Sequence, residues 1–176
     1  MKKVMLVGRS ECGKTTLRQA LKGGVIQYHK TQYINHYDVV IDTTGEYAET
    51  HTLGRALALY SYECDVIALL LNAAEPFSLY PPCVAATANR PVIGIVTQID
   101  NPKGNVERAH GWLELAGCKP IFHVSSYTGE GIWQVLSYLK ERGDVLPWES
   151  EEEAERPRQV LSNKYGPISK AEHGRS

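Results

Sequence analysis

Gly8-Arg9-Ser10-Glu11-Cys12-Gly13-Lys14-Thr15 is the stretch that decides the fold. It fits the pattern G-x-x-x-x-G-K-[ST] without a mismatch. The glycines let the backbone curl so that successive N–H groups face one anion, and a helix beginning there adds the positive end of its dipole. Both flanks are right for this. Val4 to Val7 reads as a short buried strand ending at Gly8, and Lys14 to Leu21 has the apolar spacing of a helix. The stretch is read as a phosphate loop, with Gly8, Arg9, Ser10, Glu11, Cys12, Gly13, Lys14, Thr15 and Thr16 lining it. Lys14 is expected to reach the β- and γ-phosphates and to serve catalysis, and the Thr15 hydroxyl to ligate Mg²⁺. Cys12 is read first as a small side chain tolerated in the loop. A helix N-terminus can also lower a thiol pKa, which makes nucleotide-sensitive oxidation the rival reading.

Outward from the loop, short apolar runs alternate with amphipathic stretches. Val39 to Ile41, Val66 to Leu71, Val92 to Val96 and Ile121 to Val124 read as further strands. The longer runs have no polar alternation, the mark of strands covered on both faces. Leu53, Leu57 and Tyr60 mark one helix, and Val106, Ala109, Leu113 and Ala116 a second. Ile132, Val135, Leu136 and Leu139 mark the last. Strand and helix in repeated alternation predict an α/β fold of three layers, a mostly parallel sheet flanked by helices, as in a P-loop NTPase of the small-GTPase type.

With that sheet in place, other short motifs gain meaning. Asp42-Thr43-Thr44-Gly45 follows a strand and lies 28 residues after Lys14. A P-loop GTPase places its Mg²⁺-side aspartate there, so Asp42 is expected to hold metal and the Gly45 amide to sense a γ-phosphate. In the loop before it, Lys30-Thr31-Gln32 offers Thr31 as a metal-ligating switch threonine with a part in catalysis. Glu46 stands where many GTPases carry a water-positioning glutamine. Thr97-Gln98-Ile99-Asp100 follows a strand at the place of N-K-x-D, and Ser125-Ser126-Tyr127 at the place of S-A-K. Asp100 can accept hydrogen bonds from guanine N1–H and the 2-amino group, donors that adenine lacks. Thr97, Gln98, Ser125 and Ser126 complete the base corner. Departures at Thr97 and Gln98 leave both GTP and ATP open.

Composition bounds the rest. The chain has 176 residues, 43% hydrophobic, with 19 basic and 20 acidic side chains and a formal net charge of -1. A core can form, and no broad basic field exists to hold nucleic acid. Val66 to Leu71 is too short to span a bilayer, and the N-terminal apolar run is too short for a signal peptide. Cys12, Cys64, Cys83 and Cys118 show neither disulfide framework nor metal-ligand spacing, in keeping with a cytoplasmic protein. His29, His36, His51, His110 and His123 also lack metal spacing and read as loop or surface residues. Trp112 and Trp133 read as packing residues. Residues 1–143 form the expected nucleotide-binding domain, with net charge +1, and residues 144–176 an acidic, charged and flexible tail, with net charge -2.

These stations in order resemble the PduV/EutP family of small P-loop GTPase-like proteins, from bacterial operons for propanediol or ethanolamine utilisation. The resemblance covers roughly residues 2 to 140. It rests on the loop through Thr15, on Lys30-Thr31-Gln32 and on Asp42-Thr43-Thr44-Gly45-Glu46-Tyr47, with Asp65-Val66-Ile67-Ala68-Leu69 and Arg90-Pro91-Val92-Ile93-Gly94 in support. The PduV branch is the more similar one. The family usually shows proline where Thr44 stands and commonly lysine where Gln98 stands. The resemblance implies nucleotide binding, a cytoplasmic location and contact with microcompartment shell proteins. On the EutP side it implies phosphoryl transfer between ATP and acetate. Three expectations follow: a Mg²⁺-dependent GTP- or ATP-binding switch with weak NTPase activity, an acetate kinase-like phosphotransferase, and a docking module with a weak nucleotide site. None calls for nucleic acid or membrane.

Overall fold

Apolar runs with no polar break lie where both faces of a strand are covered, and three such runs form the middle of one sheet, with a shorter strand at each edge. The computed structural model describes residues 1–29, 40–42, 53–142 and 144. Its strands are β1 (Val4–Val7), β2 (Val40–Asp42), β3 (Val66–Asn72), β4 (Val92–Thr97) and β5 (Ile121–His123). They form one sheet in the order β2-β1-β3-β4-β5, with every pairing parallel. Parallel neighbours need crossovers, and these carry α1 (Lys14–His29), α2 (Leu53–Tyr60) and α3 (Val106–Leu115), while α4 (Ile132–Leu139) follows the last strand. A 3₁₀ turn, Val84–Thr87, lies between β3 and β4. Helix α1 continues through Gly23-Gly24 to His29, past Leu21 where its apolar spacing ends.

The sheet divides the core in two. Met5, Val7, Ile67, Leu69 and Leu71 face one side, under Leu53 and Leu57 of α2 and Ala109 and Leu113 of α3. Val4, Leu6, Val66, Ala68 and Leu70 face the other, under Leu17 and Leu21 of α1 and Val135, Leu136 and Leu139 of α4. Adjacent residues alternate between the two cores because strand side chains alternate faces. This is the expected three-layer arrangement of a P-loop NTPase.

Local signals fix the helix starts. Asn105 caps α3, its side-chain oxygen accepting from the Arg108 N–H at 2.9 Å. Gly131 caps α4 in the left-handed region at φ 75°, and a Cβ there would lie 1.9 Å from the His123 carbonyl oxygen. Only glycine lets α4 start against the end of β5. Trp112 packs against the α3-side core as expected. Trp133 does not pack as expected: it sits on the outer face of α4 and is half exposed. Of the tail read over 144–176, Asp144 alone is described, and it accepts an ion pair from the Met1 ammonium at 2.8 Å. Among the described residues no helix is long and apolar enough to cross a membrane.

Candidate functional site

An all-parallel sheet sends every strand's carboxyl end to the same edge, where open α/β folds place their ligands. Here that edge gathers Gly8–Gly13 after β1, Asp42 at the end of β2, the turn after Asn72, Gln98–Asp100 after β4 and Ser125–Glu130 after β5.

The loop after β1 is built by close approach. A Cβ on Gly8 would sit 2.5 Å from Cys12 Sγ and 3.1 Å from both Cβ and the carbonyl oxygen of Leu70. Glycine is therefore needed for the chain to turn against β3. The turn is tight enough to put Glu11 and Gly13 in the left-handed region, at φ 65° and 89°. Lys14, at the first position of α1, is 9% exposed, and its Nζ donates to the carbonyls of Gly8 at 2.7 Å and Arg9 at 2.8 Å. The ammonium is thus folded across the loop, and among the described residues two of its three N–H donors are used. Ser10, Thr15 and Thr16 are exposed around it.

Neighbouring strands brace this loop. Thr97, 2% exposed, donates its hydroxyl to the Cys12 carbonyl at 2.6 Å. Gln98 Nε2 donates to the Glu11 carbonyl at 3.3 Å, with Gln98 itself left-handed at φ 55°. Thr97 and Gln98, read from the sequence as departures from a base-reading motif, both tie the loop to β4. Tyr80 is a brace that the sequence did not reveal. Its buried hydroxyl donates to the Leu70 carbonyl at 2.6 Å, with the Val7 carbonyl at 3.1 Å. Burial raises the Tyr80 pKa well above its ordinary value, so the phenol stays a donor. Tyr80 sits in Ser78-Leu79-Tyr80-Pro81-Pro82, a segment without periodicity or motif.

The two loops read from the sequence as a base corner are joined by the Ile99 N–H, which donates to the Val124 carbonyl at 3.4 Å. Asp100 is exposed in the turn beyond Ile99. Ser125 is fully buried, and its Oγ accepts from the Thr128 N–H at 3.1 Å. Its backbone N–H donates to the Glu130 carbonyl and its carbonyl accepts from Gly129. Ser126 is half-buried beside it, and Tyr127 projects with 92% of its surface exposed.

For a metal, Thr15 and Asp42 are the expected donors. Asp42 ends β2 in register with Leu6 of β1, and Thr15 opens the helix that follows β1. A hydroxyl and a carboxylate are the hard oxygen donors that Mg²⁺ takes. Thr31, Gly45 and Glu46 lie outside the described residues.

Three residues do something other than the sequence indicates. Arg9 points its guanidinium to Glu75 Oε1 at 2.5 Å and lies over the Phe77 ring at 5.5 Å. It braces the loop against the turn after β3 instead of lining it. His110 and His123 are partly buried partners, Nδ1 to Nε2 at 2.9 Å, not separate surface residues. They meet because α3 crosses β5. Burial, then the neighbouring His110, lowers the His123 pKa. Cys12 is 2% exposed and packs in the α1-side core, the first of its two readings.

Comparison with known proteins bears on the same span. The family model PduV-EutP, described as ethanolamine utilisation and propanediol utilisation, matches residues 1–141. The chain belongs to the PduV-EutP family. It is 40% identical over 141 residues to propanediol utilization protein PduV of Citrobacter freundii, covering 79% of this chain and 93% of that protein. To the Probable acetate kinase EutP of Escherichia coli K12 it is 29% identical over 142 residues, covering 79% and 89%. More distantly it is 24% identical over 167 residues to GTPase Era of Sinorhizobium medicae, covering 82% of this chain and 54% of that protein.

Proposed function

We propose that this member of the PduV-EutP family binds a Mg²⁺-complexed purine nucleoside triphosphate, GTP or ATP. We assign it the role of a slow NTPase switch in the cytoplasm, docked on shell proteins of a bacterial microcompartment for propanediol or ethanolamine utilisation. The observation that carries the nucleotide reading is the buried Lys14 ammonium, folded over a left-handed loop at the start of α1. A cation fixed before the ligand arrives needs little reorganisation to hold phosphate. The distant likeness to a GTPase supports the same reading.

In this reading the N–H groups of Ser10 to Thr16 and Lys14 bind the β- and γ-phosphates. Thr15, Thr31 and Asp42 are the metal ligands, and Mg²⁺ bound there supplies charge neutralisation on the phosphates. Gly45 and Thr31 sense the γ-phosphate and Glu46 orients the attacking water. Asp100 reads the base, supported by Thr97, Gln98, Ser125 and Ser126. Arg9 is tied to Glu75 and offers no arginine in line, so intrinsic turnover is slow and a partner accelerates it.

Calorimetric titration of the full chain with Mg²⁺–GTP and Mg²⁺–ATP is the test. Lys14→Ala should weaken either nucleotide by about 2 kcal/mol or more, the worth of a hydrogen bond to a charged group. Asp100→Asn should weaken GTP and leave ATP unchanged. Wild-type protein with affinity for neither nucleotide would refute the reading.

A second reading is phosphoryl transfer from ATP to a short carboxylic acid, and the likeness to a protein named Probable acetate kinase favours it. Acyl phosphate trapped as hydroxamate only when acetate and ATP are both present would support it. Phosphate release indifferent to acetate would return the protein to the switch.

A further inference from the structure

We infer that Arg9 is a second cation for the triphosphate and that Glu75, which no sequence motif marks, holds it in reserve. The inference rests on the nucleotide reading above and concerns the phosphate end of that site. Glu75 is a positioning residue here, acting on the ligand only through Arg9.

Arg9 is rooted where the phosphates are expected. Its carbonyl accepts from Lys14 Nζ at 2.8 Å, so its main chain touches the ammonium assigned to phosphate. Its side chain leads elsewhere, past the Phe77 ring to Glu75 Oε1 at 2.5 Å. That ion pair is not what shapes the loop. Lys14 already spans the Gly8 and Arg9 carbonyls, the Thr97 hydroxyl holds the Cys12 carbonyl, and Gln98 holds the Glu11 carbonyl. What the pair decides is where a guanidinium sits.

The two partners are unequally fixed. The Glu75 side chain is 15% exposed, and its main chain is bound on both sides. Its N–H donates to the Asn72 carbonyl at 3.0 Å, and its carbonyl accepts from Arg108 Nη2 at 2.8 Å. The Arg9 side chain is 42% exposed. An ion pair this open to water is worth little, and the guanidinium is the partner that can move. Turning about its own side-chain bonds, it can leave Glu75 while its main chain stays on Lys14. Its planar fork takes phosphate bidentately as it takes carboxylate, and a triphosphate offers it more charge than one carboxylate does. Glu75 and the triphosphate therefore compete for one cation, and the competition lowers the affinity of the site.

The test separates a competitor from a brace by the sign of the effect. Wild type, Glu75→Gln, Arg9→Ala and the double variant are titrated with Mg²⁺–GTP, Mg²⁺–ATP and Mg²⁺–tripolyphosphate. Glutamine keeps the shape of Glu75 and removes its charge. Glu75→Gln is expected to tighten tripolyphosphate, and each nucleotide that the wild type binds, by about three- to fivefold, the scale of an exposed ion pair. Its affinity should also fall more steeply with added KCl, because one more cation meets phosphate. The double variant should bind like Arg9→Ala. Melting temperatures check that the variants are folded; should Glu75→Gln not fold, Glu75→Asp, whose carboxylate is withdrawn by one methylene, is read in the same way. Unchanged or weaker affinity in Glu75→Gln overturns the reserve and leaves the nucleotide reading standing. A gain that persists without Arg9 also overturns it, by assigning the effect to direct repulsion between Glu75 and phosphate. Nucleotides tightened without tripolyphosphate overturn it too, since the gain is then not at the phosphates. Wild type that binds neither nucleotide refutes the nucleotide reading and this inference with it.

Discussion

Thr97 shows how much one hydroxyl can carry. It closes β4 and, from a buried position, donates to the Cys12 carbonyl in the middle of the phosphate loop. Valine fills the same volume without the donor, leaving that carbonyl without this buried bond. Thr97→Val should cost about 1 to 3 kcal/mol, the desolvation penalty of an unpaired buried acceptor. Thr97→Ser should recover most of it. Urea denaturation of the three proteins measures this, and a valine variant as stable as wild type would show the bond to be of no consequence. The sequence shows a threonine where a related motif has asparagine. What it cannot show is that this hydroxyl reaches the Cys12 carbonyl, a fact of spacing between the end of β4 and a loop 85 residues away in the chain.

At the scale of elements, the central strands were legible because burial on both faces leaves a run without polar breaks, and the helices because one apolar stripe recurs every three or four residues. Val4–Val7, Val92–Thr97 and Ile132–Leu139 stand within a residue of where their apolar residues put them. The phosphate loop was legible for another reason: its backbone geometry admits few sequences. Contacts between elements left no such mark. Nothing local announces that Arg9 meets Glu75, that Tyr80 reaches Leu70, or that His110 of α3 meets His123 of β5. The last of these makes the α3–β5 packing pH-dependent. His123 has its folded pKa below the unfolded value of 6.5, so the unfolded chain binds the proton more readily. The contribution to stability is full above pH 6.5 and is lost as pH falls through the folded pKa. Thermal melts of wild type should decline across that range. His123→Gln should show a flatter profile there, and an equally steep one would place the acid sensitivity elsewhere.

For the whole molecule, one sheet separates two cores that share no side chains. Ile67 lies fully buried on the α2–α3 side and Ile95 fully buried on the α1–α4 side. Each Ile→Val change should cost about 0.5 to 1.5 kcal/mol. The double variant should lose their sum within about 0.5 kcal/mol, because substitutions without shared partners are additive. Denaturant titration of the two single variants and the double variant tests this. A large excess would mean that the sheet transmits strain from one core to the other.

The parallel pairing also governs how the chain comes together in time. β1 is interior to the sheet, between β2 and β3, and its partners lie far along the chain: Val4 pairs with Val40 on one side and with Val66 on the other. Among the described strands no hairpin can form early and guide the rest, because each of their pairings must wait for a crossover to close. As the protein leaves the ribosome, the phosphate loop emerges well before its supports at Leu70, Tyr80 and Thr97. The part of the molecule with the clearest sequence signature therefore acquires its full support only once the chain has reached Thr97.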